Sequence, residues 1–220
     1  TGSWNIALGY NALDANTTGT YNVALGTSSL TTATTAAHNV AVGADALGST
    51  TTGANNTVTG SGAMYSNTTA SQNAAFGYVA LSNNTTGQYL VGVGAYALTS
   101  NTTGNNNTAL GRYVLASNTT GNNNVAIGTN TLDNNTTGND NTAVGYLALD
   151  VNSTGSRNTA LGALSLDANT TVNDNTGIGY SSLSATTTGA SNTAVGSYSM
   201  NDNTTGANNT ATGYYALGGN

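Results

Sequence analysis

A glycine that usually follows one small and one aliphatic residue returns at Gly9, Gly26, Gly43, Gly60, Gly77, Gly94, Gly111, Gly128, Gly145, Gly162, Gly179, Gly196 and Gly213, always after 17 residues. No insertion or deletion interrupts the series. Disordered linkers drift in length, so thirteen copies in strict phase imply that each copy stacks on the next in register. The consensus reads N-[T/V]-A-[V/L/I]-G-x-x-A-L-x-x-N-T-T-G-x-x, with places counted from the Asn.

A 17-residue unit is too short for two helices and a turn, and Asn, Thr and Gly are poor helix formers. The period therefore predicts an all-β chain, a parallel β-solenoid or β-roll of thirteen coils in one continuous array over residues 1–220. Stacked at strand spacing, the coils would form a rod roughly 60 Å long. Extended pieces such as "TAV" and "AL" would bend at the fifth-place Gly and at "NTTG", where Gly supplies positive φ and Asn tolerates it.

Alternation along a strand assigns the faces. The second and fourth places share one side, as in Val23 with Leu25, Val40 with Val42, Val125 with Ile127 and Thr142 with Val144. The fourth and the ninth (Leu13, Leu30, Leu47, Met64, Leu81 and on to Leu217) are nearly always apolar and are expected to line the interior. The third place points the other way and holds Ala7, Ala24, Ala41, Ala109, Ala143 and Ala194, with Gly at Gly92 and Gly177. Burial of two aliphatic side chains falls short of the entropy lost in ordering a coil. The small third-place column is accordingly expected to pack against sister chains, most simply in a trimer.

Composition removes several classes of function. Lys and Glu are absent, and eight Asp face only Arg112 and Arg157, giving a net charge of -6. No basic patch exists for a nucleic acid. No apolar run is long enough to span a membrane, and "TGSWNIALG" lacks the layout of a signal peptide. With no Cys and His38 as the single His, no disulfide, catalytic base, metal or cofactor is expected, and the chain is not expected to be an enzyme.

The remaining columns carry the candidate sites. Asn opens twelve of thirteen repeats, Leu90 being the exception, and is expected to form a hydrogen-bonded ladder. "NTT" and "NST" match the glycosylation acceptor at Asn16, Asn67, Asn84, Asn101, Asn118, Asn135, Asn152, Asn169 and Asn203, where sugars would coat an outer turn; the same residues also make a good turn. Tyr10, Tyr78, Tyr146, Tyr180 and Tyr214 follow the repeating Gly and are candidates for stacking on carbohydrate, or else cover the core at a corner. Thr fills the fourteenth place without exception from Thr18 to Thr205; an ice-binding surface needs a flat pair of such columns, and adjacent residues on a strand face opposite sides. Asp133, Asp150 and Asp167 share one column on consecutive coils, as a solvated acidic strip or one bridged by a cation such as Ca²⁺.

The piece "TAVGYLA" within "NTAVGYLAL" resembles the S-V-A-I-G-x-x-A repeat of trimeric autotransporter adhesin heads. The whole unit is similar to repeats of phage tail-fibre-like and bacterial surface proteins that often end in an endosialidase-type self-cleaving chaperone domain. The resemblance spans essentially the whole chain, although the adhesin repeat is shorter and lacks "NTTG". It implies a left-handed, trimeric β-roll in an extracellular fibre or adhesive head, on a cell surface or virion, with host-surface or matrix glycans as partners. The chain begins at the fourteenth place and stops at the twelfth, Asn220, so end-to-end stacking would continue the phase with one Thr missing. It is expected to be a segment of a longer fibre. The alternative class is a carbohydrate- or ice-binding solenoid module that uses its Tyr or Thr columns.

Overall fold

The computed structural model describes residues 2–219. Thr1 and Asn220, at the ends where end-to-end stacking would join, lie outside the described residues. The described chain holds thirteen strands of three residues and no helix. It groups into two compact units, Thr1–Asn107 and Thr108–Asn220. In the first, β1 (Ile6–Leu8) to β6 (Val91–Val93) pair in parallel, each with the next in chain order. In the second, β7 (Thr108–Leu110) to β13 (Thr210–Thr212) repeat the pattern. The register advances 17 residues at each step, so that Val23 faces Val40 and Thr142 faces Thr159. This is the parallel β-solenoid that the period predicts.

Between strands the backbone turns by left-handed residues, and most are not Gly. The fifth-place Gly has φ from +125° to +143°, a region closed to L side chains. At Gly145 a Cβ would also lie 2.6 Å from the backbone of Gly162. The seventh, ninth and seventeenth places are left-handed as well, as at Asn130 (φ 52°), Leu132 (52°) and Asp140 (58°). Such a φ costs on the order of 1 kcal/mol for a residue with a Cβ. The compensation is directional: it swings each N–H along the stacking direction. Leu132 N–H donates to Ala148 O at 3.0 Å, Asn130 N–H to Arg112 O at 3.1 Å and Asp140 N–H to Asn122 O at 3.0 Å. The fifteenth-place Gly, expected to supply positive φ, is not left-handed. At Gly138 a side chain would press on Gly155 O, although Ala36, Ala70 and Val172 fill the same place in other coils.

The strand faces are the reverse of the expectation. Ala24, Ala41, Ala75, Ala109, Ala126, Ala143, Ala160 and Ala194 have no exposed surface at all. Gly92 and Gly177 are buried too, and only in the first coil is the column open, at Ala7. In Val125–Ile127 and Thr142–Val144 only the middle residue is buried. The fourth place faces outward, with Phe76 and Leu110 exposed.

Interior thickness explains the reversal. The ninth-place residues from Leu30 to Met200 are fully buried and fill the coil up to the strand. A Cβ at Gly92 would already stand 3.2 Å from Leu81 Cγ and Cδ1, so the third place takes small side chains, with Val58 the largest that it buries. The Ala column belongs to each chain's own core, and no sister chain can pack on it. Ala126→Leu should therefore destabilise the fold by roughly 1–3 kcal/mol through overpacking, read from the urea midpoint. An unchanged midpoint would mean that the third place faces solvent.

Candidate functional site

The nine acceptor-pattern Asn lie inside the coil, not on an outer turn. Asn67, Asn84, Asn101, Asn118, Asn135, Asn152 and Asn169 have no exposed surface, while Asn16 and Asn203 are half-buried. Every one of the nine donates its Nδ2 to the carbonyl three residues on, at 3.0–3.3 Å. The amide nitrogen that a glycan would occupy is thus committed to closing the "NTTG" turn. Neighbouring coils add direct links: Asn135 Nδ2 donates to Asn118 Oδ1 at 2.8 Å and Asn152 Nδ2 to Asn135 Oδ1 at 3.0 Å.

The first-place Asn reach the same carbonyls from the other side. Gly155 O accepts from Asn141 at 2.8 Å and from Asn152 at 3.0 Å, and Gly206 O from Asn192 at 2.7 Å and Asn203 at 3.0 Å. The expected ladder is present, but its main rungs run from side chain to backbone. Along both units first-place Oδ1 atoms accept the backbone N–H of their successors, as Asn141 Oδ1 does from Asn158 at 3.0 Å. At the exception, Leu90 still donates its N–H to Asn73 Oδ1 at 2.8 Å.

The five candidate Tyr stand in the open. Tyr10, Tyr78, Tyr146, Tyr180 and Tyr214 are 45–77% exposed and do not cover a corner of the core. Tyr78 meets Tyr96 edge-on at 5.5 Å. Tyr198 receives Tyr180 at 5.2 Å and Tyr214 at 6.1 Å, both edge-on.

All twelve fourteenth-place Thr are exposed. The adjoining thirteenth-place hydroxyls are instead spent on backbone, with Thr51 Oγ1 donating to Thr68 O at 3.1 Å and Thr136 Oγ1 to Ser153 O at 3.0 Å. One Thr column is presented, without an adjacent partner column.

A further outward column, the seventeenth place, escapes consensus reading because its residue types differ. Their shared spacing of 17 is the signal that marks them. Trp4, Tyr21 and His38 stack with centroids 4.8 and 4.9 Å apart. In the second unit Arg157 grips Asp174 through Nε at 2.7 Å and Nη2 at 2.9 Å, which holds the Asp174 carboxyl below its ordinary range.

Asp133, Asp150 and Asp167 are half-buried rather than freely solvated. Burial raises all three carboxyls, and Asp133 and Asp167 add repulsion at Asp150, which is pushed up to about 6. Among the described residues no group of three His, Cys, Asp or Glu is placed to hold a metal ion, and no helix is long and apolar enough to cross a membrane. The sequence matches no family model, no curated protein and no solved structure.

Two predictions follow from these columns. Asn135→Ala strips three hydrogen bonds from a buried site and should lower stability by roughly 2–3 kcal/mol in urea unfolding. For Asp150, the folded chain holds its proton more tightly than the unfolded chain. Its contribution to stability is therefore fully present below 3.8 and is lost as pH rises to about 6, above which the burial cost and the repulsion both act on the carboxylate. Asp150→Asn should flatten that slope and raise the midpoint at neutral pH; an identical pH profile in the variant would refute the assignment.

Proposed function

We propose that this chain is a non-catalytic structural segment of an extracellular fibre or adhesive head, on a cell surface or virion, built by lateral packing of three identical chains. The strand face carries the reading. Its second and fourth places bear no charged residue in any repeat, and Phe76, Val91 and Leu110 are 41%, 38% and 45% exposed. Aliphatic and aromatic side chains repeated on an uncharged sheet face are the kind of patch that marks an interface. A sister chain is the best-matched occupant, because its own side chains recur at the same strand spacing. Three chains is the number that the resemblance to adhesin heads implies, with the sheet face rather than the Ala column turned inward. The exposed Tyr and seventeenth-place columns would then remain on the outside of the assembly.

Light scattering on the eluting protein tests this. The chain should elute with the mass of three copies at micromolar concentration, and the double variant Leu110→Asp/Ile127→Asp should elute as a single folded chain. A monomeric parent protein, or a variant that stays assembled, would count against the strand face as the interface.

A further inference from the structure

The tenth-place column contains one break in the first unit. It runs Thr31, Gly48, Tyr65 on successive coils, and Tyr65 is the only aromatic residue in that column. Without a side chain at Gly48, the Tyr65 ring lies across the gap: a Cβ there would stand 3.0 and 3.1 Å from Tyr65 Cε2 and Cδ2. The ring is 48% exposed and forms one wall of a cavity of about 210 Å³ that is also lined by Ser28, Thr32, Asp45 and Ser49.

The polar groups of this notch divide into two sets. Thr32 Oγ1 is engaged with Gly48 O and Thr50 O, both at 3.0 Å, and so braces the wall. The Asp45 carboxylate and the Ser28 and Ser49 hydroxyls have no hydrogen-bond partner among the described residues. Asp45 itself is exposed, at a left-handed position (φ 59°) whose N–H is fixed to Thr27 O at 2.9 Å.

We infer that this notch is a binding site for one neutral hexopyranose residue of a glycan. An aromatic ring offers its flank to the apolar C–H face of a sugar. Beside it, a free carboxylate accepts from vicinal hydroxyls, and two free serine hydroxyls both donate and accept. Neither Arg112 nor Arg157, the only cationic side chains apart from His38, lines the cavity, so phosphate, sulfate and acidic sugars lack a counter-charge. A single aromatic wall is not the multi-ring cage that quaternary ammonium groups require. The volume is below that of drug-sized pockets and suits one ring. Such a site needs one chain only, so it stands or falls independently of lateral assembly.

The test is an NMR titration of the ¹⁵N-labelled protein with methyl β-glucopyranoside and methyl β-galactopyranoside, and with choline and inorganic sulfate as comparators. At least one hexoside should shift the amides of Ser28, Asp45, Ser49 and Tyr65 with millimolar affinity, while choline and sulfate leave them unmoved. Asp45→Asn, an exposed and nearly isosteric change, and Tyr65→Ala should each weaken that binding by about tenfold or more, with the remaining amide spectrum retained. Absence of shifts with both hexosides, binding that survives both variants, or choline or sulfate binding at these amides would overturn the assignment.

Discussion

In most coils the backbone carbonyl at the fifteenth place accepts side-chain amides from two Asn columns at once. At Gly138 the donors are Asn124 at 2.9 Å and Asn135 at 3.1 Å; at Gly87 they are Asn73 and Asn84, both at 3.0 Å. A buried carbonyl has two lone pairs, and an unfilled one is costly in an interior that excludes water. Filling both from residues eleven places apart in the chain closes the turn and ties the start of a coil to its end. The Asn amides therefore do the work that a larger apolar core does elsewhere. A coil of 17 residues, mostly Asn, Thr, Gly and Ala, holds its shape because hydrogen-bonded Asn amides share its interior with Leu and Ala.

That division of the interior explains what could be read from the repeat and what could not. Period, strand direction and register follow from the spacing of Gly128, Gly145 and Gly162 alone, since only in-register stacking preserves a fixed phase. The face assignment fails at Ala126 and Ile127 because size was used as the guide to burial. Hydrophobicity favours Ile127 inside, but the space left beside the ninth-place Leu is mostly filled by Ala, with Val58 as its largest occupant. Asn135 misleads for a related reason: an Asn-x-Thr pattern and a buried turn-closing amide are the same three letters. Left-handed Leu132 carries no sequence signal, because Leu has no intrinsic preference for that region. Its conformation is imposed by the neighbouring carbonyl that its N–H must reach.

The same geometry separates structural from functional surface. Places that recur with little or no variation, such as the first-place Asn and the fifth-place Gly, are tied to the neighbouring coil. Apart from the fourteenth-place Thr, the outward places vary from coil to coil, and there the individual chemistry collects. The aromatic stack from Trp4 to His38, the Arg157–Asp174 pair and the half-buried Asp150 all arise from local substitutions within one column. So does the notch between Asp45 and Tyr65, which exists because a single tenth-place side chain is missing at Gly48.

Exchange of the Asn side-chain amide protons tests the shared-carbonyl network most directly. With the amides assigned by NMR, Asn124, Asn135, Asn141 and Asn152, which are buried and bonded, should exchange far more slowly than the exposed Asn83, Asn123 and Asn134. Two clearly separated classes are the predicted result. A single class, with first- and twelfth-place amides exchanging as fast as the exposed ones, would show that the carbonyls are not shared and that the coils are held together in some other way.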